Sequence, residues 1–430
     1  MSSPTEAPEP PLSAPRSERW TYFCPRHESS WLAEVIAADE RFSPAPAGTR
    51  ADFAWVHTLN ETELAVFRSA RVRGGNGVSG VEVLEDKFKF ALLTQRDQCK
   101  DANLESYACE SIAQLARVCA AVFADKNGKA EAGTWIVKDA RANCGDGLFV
   151  VMSHNWRDVI ASLTSELQTA TAGRVPPSFV LQKYIEEPEL WNGKFKYHCR
   201  LFLVLRADGA AFLHSHALAH VANKPYTLEP DHVADPQVHL SNVSKNHSDA
   251  DLFHGCPIIA LEEFFGSNRL EAVCTLFANV FMAARPFMEH QQAASDFCLI
   301  GADLMFETSG APRLLECNVP PGIGNYDSHV PADQYAFTNA LFSTLLDTFV
   351  LPALSGQTQS PSAPSGTETS KGQSWLQVCE PRSAFLPQDA ERRGFNALSW
   401  KVYQRRALKG PGNRPAQPQQ NQEQQQPSAA

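Results

Sequence analysis

The strongest constraint on the fold is a succession of short apolar runs, separated by turn signals and interrupted by stretches of helical spacing. Runs rich in β-branched and large apolar residues predict strands. They lie at 134–138, 148–152, 178–185, 198–206, 211–219, 296–307 and 312–319. Apolar residues recur at helical spacing over 156–171 and 261–288. Hairpins interleaved with helices predict an α+β fold rather than a doubly wound parallel sheet.

Proline-rich and low-complexity segments indicate where the globular part ends. Five prolines crowd the first fifteen residues, and a Gly/Ser/Thr/Pro-rich stretch begins at Gly356. We therefore expect a folded body from about Trp20 to Leu354. The expected divisions are a disordered arm at 1–17, an N-terminal α/β lobe at 18–130, two further lobes at 131–353, and a mostly disordered tail at 354–430 with a basic segment at 391–414.

Composition narrows the class of partner. The chain has 430 residues, with 38 Lys and Arg against 48 Asp and Glu, a formal net charge of −10. This balance disfavours a nucleic-acid partner, which requires clustered positive charge. The 11 cysteines are scattered without a C-x-x-C pair, which favours reduced thiols and a cytosolic location. We expect no membrane-spanning segment, because no run approaches the ~18 apolar residues needed to cross a bilayer.

The last strand pair carries a candidate metal site. Asp303 and Glu316 lie at equal distances from the turn around Ser309 and Gly310, so they are expected to be direct cross-strand partners. Two carboxylates among apolar neighbours repel each other unless a cation lies between them. Asn318 projects from the same face as Glu316 and completes an oxygen set suited to Mg²⁺. The alternative is a solvated polar face on an edge hairpin.

A second pattern is the alternation of Lys196, His198 and Arg200, which places three basic side chains on one face of a strand. Such a row suits phosphate or carboxylate oxygens, and arginine can bind a carboxylate through two hydrogen bonds. The alternative is an exposed edge strand that charge protects from aggregation.

A third pattern is Lys138 at the end of a strand, before the turn formed by Gly145, Asp146 and Gly147. A lysine beneath a glycine loop suits nucleotide phosphates. The segment 134–152 around this turn contains neither a P-loop nor a complete G-x-G-x-x-G string. Together, the three patterns predict a site for magnesium-dependent phosphoryl chemistry.

The order of the motifs also resembles the tubulin tyrosine ligase-like family, which has an ATP-grasp fold with ATP held between two lobes. The resemblance covers roughly residues 80 to 350. The strings that carry it are WIVKDARANCGDGLFVV, VLQKYIEEP, GKFKYHCRLFLVL, HLSNVSKN, GADLMFE and LLECNVPPG.

The resemblance implies a role for each matching residue. Lys138, Gly145, Gly147, Lys196, His198 and Asn242 are implied in ATP binding, and Gln182, Lys183, Tyr184 and Ile185 in the hinge that receives adenine. Arg200, His220 and Ser241 are implied in substrate binding, with Arg200 and Lys196 as catalytic residues. Asp303, Glu316 and Asn318 match the magnesium ligands, and a further phosphate lysine is either Lys87 or Lys89.

The implied activity is ATP-dependent ligation of an amino acid to a protein carboxylate, through an acyl phosphate. The implied acceptor is the acidic C-terminal tail of tubulin, with ATP and Mg²⁺ as cofactors. A free amino acid (tyrosine, glutamate or glycine) is the other substrate, and a monomer in the cytoplasm, associated with the cytoskeleton or a cilium, is expected. The basic segment at 391–414 either steers an acidic polypeptide or is merely solvated.

Two departures from the family pattern leave alternatives open. His198 replaces an aspartate expected near the ribose, and His220 replaces an arginine. These changes are compatible with an inactive family member that binds tubulin or another acidic protein, or with a ligase whose substrate is not tubulin. His214, His216 and His220 also alternate on one strand, but without a cysteine or carboxylate at fixed spacing a metal site there is disfavoured.

Overall fold

A computed structural model provides the structure. It describes residues 19–24, 31–46, 49, 51–55, 74–78, 80–96, 99, 104–124, 133–143, 145–169, 177–246, 255–288, 296–323, 332–356 and 374–379. The expected arm at 1–17 and the basic segment at 391–414 lie outside the described residues. The ten cysteines within the described ranges are free thiols.

Sixteen strands and eleven α-helices are described. The strands are β1 (Trp20–Phe23), β2 (Phe42–Pro44), β3 (Phe53–Ala54), β4 (Gly74–Gly75), β5 (Ser106–Cys109), β6 (Trp135–Asp139), β7 (Leu148–Val151), β8 (Phe179–Lys183), β9 (Leu190–Trp191), β10 (Phe195–Arg206), β11 (Ala211–His214), β12 (His216–Pro225), β13 (Ile258–Ala260), β14 (Phe297–Phe306), β15 (Pro312–Asn318) and β16 (Trp375–Cys379). The helices are α1 (Trp31–Ala38), α2 (Glu82–Glu85), α3 (Lys87–Thr94), α4 (Ile112–Val122), α5 (Trp156–Thr169), α6 (Pro236–His239), α7 (Val243–Asn246), α8 (Leu261–Phe265), α9 (Ser267–Ala284), α10 (Ala332–Leu345) and α11 (Leu351–Leu354).

The first sheet is small and parallel, with strand order β2-β1-β3-β4. Helix α1 covers it with Leu32 and Ile36, which are four residues apart and therefore share a face. Both side chains join a buried aromatic cluster with Phe53 and Phe297, whose rings stack at 6.4 Å. This cluster fixes the first sheet against the largest sheet of the protein.

The second sheet is antiparallel, with order β5-β8-β6-β7, and helices α4 and α5 pack on one face. The expected domain boundary at 130 stays a prediction, and strand β5, which precedes it, pairs across it with β8 from Ser106↔Gln182 to Cys109↔Phe179. The sequence of β5 is SYAC, which contains no β-branched residue. Its strand character depends on its partner rather than on local propensity.

The third sheet is built around the long strand β10. One edge of β10 pairs with β14, and the other pairs with β11 and β12, which are successive parts of one strand interrupted at Ser215. Strand β14 pairs in turn with β15 in the expected register, with Asp303 opposite Glu316. The α+β architecture expected from the sequence is confirmed.

One described strand lies beyond the expected end of the folded body at Leu354. Strand β16 pairs antiparallel with β11. Trp375 is 6% exposed and packs edge-on against Phe349 and His214, at ring distances of 5.1 and 4.9 Å. Residues 357–373, which precede this strand, have a low-complexity composition, and that composition made the short apolar run at 375–379 difficult to recognise as a strand.

Two helical stretches, Ser267–Phe287 and Asp333–Leu354, could cross a membrane if length and apolar composition alone decided it. In the most apolar 18 residues of each stretch, 44% and 50% respectively are buried inside the protein. In α9 the buried residues Leu270, Val273 and Phe277 recur at helical spacing and join the core of the third sheet. Packing of this kind is typical of core helices, and the absence of a membrane partner stays a prediction.

Candidate active site

A cleft opens between the second and third sheets. Counted out to its mouth, it contains about 810 Å³ of empty space, which is within the range of small-molecule sites (about 300–1,000 Å³). Strands β6 and β8 line one wall, and β10, β14 and β15 line the other. The 24 lining residues include most of the side chains that the sequence singled out.

The carboxylate pair lies on the floor of this cleft. Asp303 and Glu316 are direct cross-strand partners and both line it. A β-bulge follows immediately, because the next pair of the ladder is Leu304 with Leu314, which leaves Leu315 as an extra residue. The main-chain oxygen of Leu315 accepts a hydrogen bond from Nζ of Lys138 at 3.2 Å. The bulge thus brings a buried lysine beside the carboxylate pair.

Arg200 is bound to one of these carboxylates. It is the cross-strand neighbour of Asp303 in the β10–β14 pair, and its Nε and Nη2 donate to Oδ1 and Oδ2 at 2.5 and 3.0 Å. Gly301 lies two residues before Asp303 on β14, and a Cβ there would lie 2.6 Å from Pro321 and 3.0 Å from the side chain of Arg200. Glycine at this position therefore leaves room for the arginine.

The residues present fit a hard divalent cation. Asp303 and Glu316 supply carboxylate oxygens, and the amide oxygen of Asn318 is a third candidate ligand. Nδ2 of Asn318 is a donor that is buried without a hydrogen-bond partner among the described residues, and it suits an anionic oxygen such as that of a phosphate. An amide with an unused polar atom in a cleft is available to a ligand. Nowhere in the described ranges do three His, Cys, Asp or Glu side chains form a metal-binding group. The candidate set is therefore two carboxylates and one amide, which matches Mg²⁺ better than Zn²⁺.

Three lysines converge on the cleft from different elements. Lys138 and Lys196 are 7% and 5% exposed, and burial lowers the pKa of both, that of Lys196 to about 7. Of the two candidates on α3, Lys87 lines the cleft with its Nζ 3.9 Å from Oε2 of Glu316. Lys89 points away and lies 4.0 Å from Glu82. The structure thus favours Lys87 as the third phosphate lysine.

The two histidines that depart from the family pattern are in contact. His198 and His220 are direct cross-strand partners with ring centroids 4.7 Å apart. Nδ1 of His198 is 2.6 Å from Oγ of Ser241, and its Nε2 has no hydrogen-bond partner among the described residues, although Oδ1 of Asp303 is 3.6 Å away. Burial lowers the pKa of His198 to about 3 and that of His220 well below its usual value, so both rings are neutral.

Sequence reasoning missed His239, a buried residue at the end of α6. Its Nδ1 is 2.9 Å from the hydroxyl of Tyr184, which in turn accepts from Nζ of Lys196 at 2.5 Å. These two contacts engage the hydroxyl of Tyr184. His239 directly precedes the Leu240-Ser241-Asn242 run of the HLSN string, which was the available signal.

The glycine turn at 145–147 closes against α7. Gly145 has φ +78°, and a Cβ there would lie 3.2 Å from the side chains of Asn242 and Lys245. Lys245 also pairs with Asp146. On the other side, Nζ of Lys87 donates to the main-chain oxygen of Ala142 at 2.9 Å. One ion pair, one hydrogen bond and close packing therefore hold the turn over the cleft.

The predicted residues that line the cleft come from both walls. They are Lys138, Gly145, Gln182, Lys183, Tyr184, Ile185, Lys196, His198, Ser241, Asn242, Asp303, Glu316 and Asn318. Gly147, Arg200 and His220 do not line it. Gly147 instead adopts φ +63° for the turn, Arg200 is taken up by Asp303, and His220 lies behind His198. The roles of these residues stay predictions.

An apolar part of the cleft was also missed. Ile136 and Leu148 from one sheet face the same space as Leu240 and Met305. These side chains could cover the faces of a planar base. Met305 lies two residues after Asp303 on one strand, so strand alternation could have placed it on the same face.

Two antiparallel sheets that enclose lysines and a carboxylate pair define an ATP-grasp fold. Residues 84–358 match the model of the tubulin-tyrosine ligase family, which is more than half of the chain. The chain therefore belongs to the tubulin-tyrosine ligase family. A probable tubulin-tyrosine ligase of Saccharomyces cerevisiae (strain ATCC 204508 / S288c), PBY1, is 27% identical over 157 residues, which cover 33% of this chain and 21% of that protein. The chain thus spans about a fifth of the length of this curated relative.

Proposed function

We propose that the protein is an ATP-dependent ligase that joins an amino acid to a carboxylate of a protein, and that the acceptor is the C-terminal tail of tubulin. The observation that carries the proposal is the cross-strand pair of Asp303 and Glu316 at the base of a cleft containing Lys87, Lys138 and Lys196. This arrangement suits a nucleoside triphosphate with Mg²⁺. Family membership supports the ligase class, and the acceptor and a cytoplasmic location are part of the proposal.

The chemistry follows from what each group can do. A carboxylate is a poor acylating agent, and transfer of a phosphoryl group from ATP would convert it to an acyl phosphate. Asp303, Glu316 and Asn318 would hold Mg²⁺, which neutralises charge on the phosphates. The three lysines would stabilise charge that develops on the transferred group. An amine then attacks the acyl carbon and phosphate leaves, so the protein supplies positioning rather than a nucleophile.

Arg200 has two partners in this scheme. It binds Asp303 through two hydrogen bonds, and its planar fork equally suits the carboxylate of a substrate. We propose that Arg200 orients that carboxylate while Asp303 holds the metal.

The test is incubation of purified protein with tubulin, Mg-ATP and tyrosine, glutamate or glycine, followed by mass spectrometry of the tubulin tails. The expected result is one mass increment that depends on ATP and identifies the amino acid added. Asp303→Asn/Glu316→Gln is the matched control, because it keeps the side-chain shapes and removes both charges. Full incorporation by this double variant contradicts the proposed metal site, and the absence of incorporation by the unaltered protein contradicts the ligase proposal.

The contact between the neutral His198 and His220 favours a second candidate, a family member that binds tubulin or another acidic protein without catalysis. A charged pair is expected at these two positions in the family, and its loss weakens recognition of the nucleotide or the amino acid. Calorimetric titration with Mg-ATP separates the candidates, because no detectable heat of binding supports the second. ATP binding without any incorporation into tubulin supports a ligase with a different acceptor.

A further inference from the structure

We propose that His239 is a positioning residue of the nucleotide site: it fixes the direction of the Tyr184 hydroxyl so that Lys196 is held as an ammonium ion facing the cleft. This inference rests on the proposed function, because the ligand that needs the ammonium is a nucleotide. His239 is 3% exposed. It would act through Tyr184 and not by touching the nucleotide phosphates.

The tautomer of His239 follows from its two partners. Its Nε2 is 3.1 Å from the main-chain oxygen of His232. A carbonyl oxygen can only accept, so Nε2 carries the hydrogen. Burial lowers the pKa of His239 to about 4, and the charge of Lys196 acts in the same direction, so the ring is neutral and Nδ1 has no hydrogen. Nδ1 therefore accepts from the hydroxyl of Tyr184 at 2.9 Å.

This direction determines what the tyrosine offers to the lysine. In this proposal the O–H bond of Tyr184 points to His239 rather than to the hydroxyl of Tyr226, its other hydrogen-bonding neighbour. The oxygen lone pairs of Tyr184 are then left for Nζ of Lys196 at 2.5 Å. An ammonium has three donors and no acceptor, so it requires such an oxygen. A hydroxyl turned the other way would donate to a neutral amine instead. His239 thus selects the charged form of Lys196.

The protonation state of Lys196 should respond to the direction of the Tyr184 hydroxyl. Burial and the charge of Lys138 lower the pKa of Lys196 to about 7, so the ammonium and the amine are almost equally stable near neutral pH. The charged or titratable groups around Lys196 come from several elements. They are Lys138 from β6, His198 on its own strand, Tyr184 and Tyr226 after β8 and β12, and His239 at the end of α6. Their balance decides whether the cleft carries a positive charge at this point.

The surroundings of His239 also make it rigid. Its ring meets Tyr184 and Tyr226 edge-on, with centroids 5.8 and 6.0 Å apart. The Nζ of Lys196 lies 3.8 Å above the ring of Tyr184, close enough for a cation–π attraction. Tyr184 follows a strand of the second sheet and Lys196 belongs to the third. His239 therefore ties together residues from both walls of the cleft.

Calorimetric titration of Mg-ATP into the full-length protein between pH 6.5 and 8.5 tests the inference. The unaltered protein should bind, with affinity falling as pH rises because Lys196 loses its proton. His239→Phe should bind Mg-ATP about tenfold more weakly at pH 7.5. As pH rises, its affinity should begin to fall at a lower pH than that of the unaltered protein. His239→Asn keeps an acceptor near the position of Nδ1 and should recover most of the binding. His154→Phe, on an exposed turn, is the matched control.

A second variant keeps the inference testable if His239→Phe fails to fold. Tyr184→Phe removes the hydroxyl itself and should weaken binding at least as much, and adding His239→Phe to it should cause little further loss, because the two residues act as one unit. Unchanged affinity in Tyr184→Phe overturns the inference.

The possible failures are distinct. If the unaltered protein binds Mg-ATP and His239→Phe binds equally well, or more weakly by one constant factor at every pH, the positioning role is refuted and the proposed function stands. If the unaltered protein binds no Mg-ATP, the proposed ligase function is refuted, and the inference with it.

Discussion

The ion pair between Arg200 and Asp303 predicts that the candidate metal site also contributes to stability. Its side chains are only 11% and 3% exposed, and two hydrogen bonds join them. Removing one partner of such a pair leaves an uncompensated buried charge, which typically costs about 3–5 kcal/mol. Arg200→Met should therefore destabilise the protein by this amount, even without any ligand.

The same physics predicts a rescue. Replacing both charges with apolar residues, as in Arg200→Met/Asp303→Leu, removes the unpaired charge, and such replacements are often close to neutral. With about 2 °C per kcal/mol for a protein of this size, the single variant should lower the melting temperature by about 6–10 °C. The double variant should recover most of that loss but should bind no Mg-ATP.

Thermal unfolding in EDTA, followed by circular dichroism, measures these shifts. The control is Arg41→Met. This side chain is 49% exposed in its pairs with Asp39 and Asp347, and its loss should cost at most about 1 kcal/mol. If Arg200→Met and Arg41→Met lower the melting temperature equally, or if the double variant is as unstable as Arg200→Met, the buried pair is not the source of the stability.

Three further predictions concern other parts of the molecule. Lys87→Met should weaken Mg-ATP binding about tenfold in calorimetry because it removes a charge from the cleft, and Lys89→Met should leave binding unchanged; equal effects would contradict the assignment. Burial lowers the pKa of His214 to about 4, so in acid the unfolded chain binds a proton that the folded state excludes. The free energy of unfolding should therefore fall between pH 6.5 and 4, by at most roughly 3 kcal/mol for this residue. Thermal scans of His214→Phe should show a melting temperature that depends less on pH. Trp375→Ala should cost about 3–5 kcal/mol in urea unfolding through the cavity it leaves, whereas Tyr335→Ala, at an exposed position, should cost little; similar losses would show that β16 is not part of the cooperative unit.

The parts of the fold and site that the sequence predicts are those that local pattern determines. The β14–β15 hairpin could be registered from its own turn, so the pairing of Asp303 with Glu316 was predictable. Strand alternation likewise placed Lys196 and His198 on one face, and both line the cleft.

The parts that were missed depend on contacts between distant segments. Arg200 meets Asp303 because β10 and β14 are neighbours, although they are far apart in the chain. Lys87 and Lys89 are two residues apart on one helix, and only the packing of that helix distinguishes them. A local pattern carries no information about such pairings.

Strand β16 covers one edge of the third sheet, and this matters for any shortened form of the protein. Strand β11 receives its outer neighbour from residues 375–379, beyond the end of the family match at 358. A chain cut at that apparent boundary would present a row of unsatisfied amides and carbonyls beside the pocket vacated by Trp375. Such an edge is a template for pairing with another copy. The last described strand therefore covers this edge, and a chain that ends at residue 358 should associate with itself more readily.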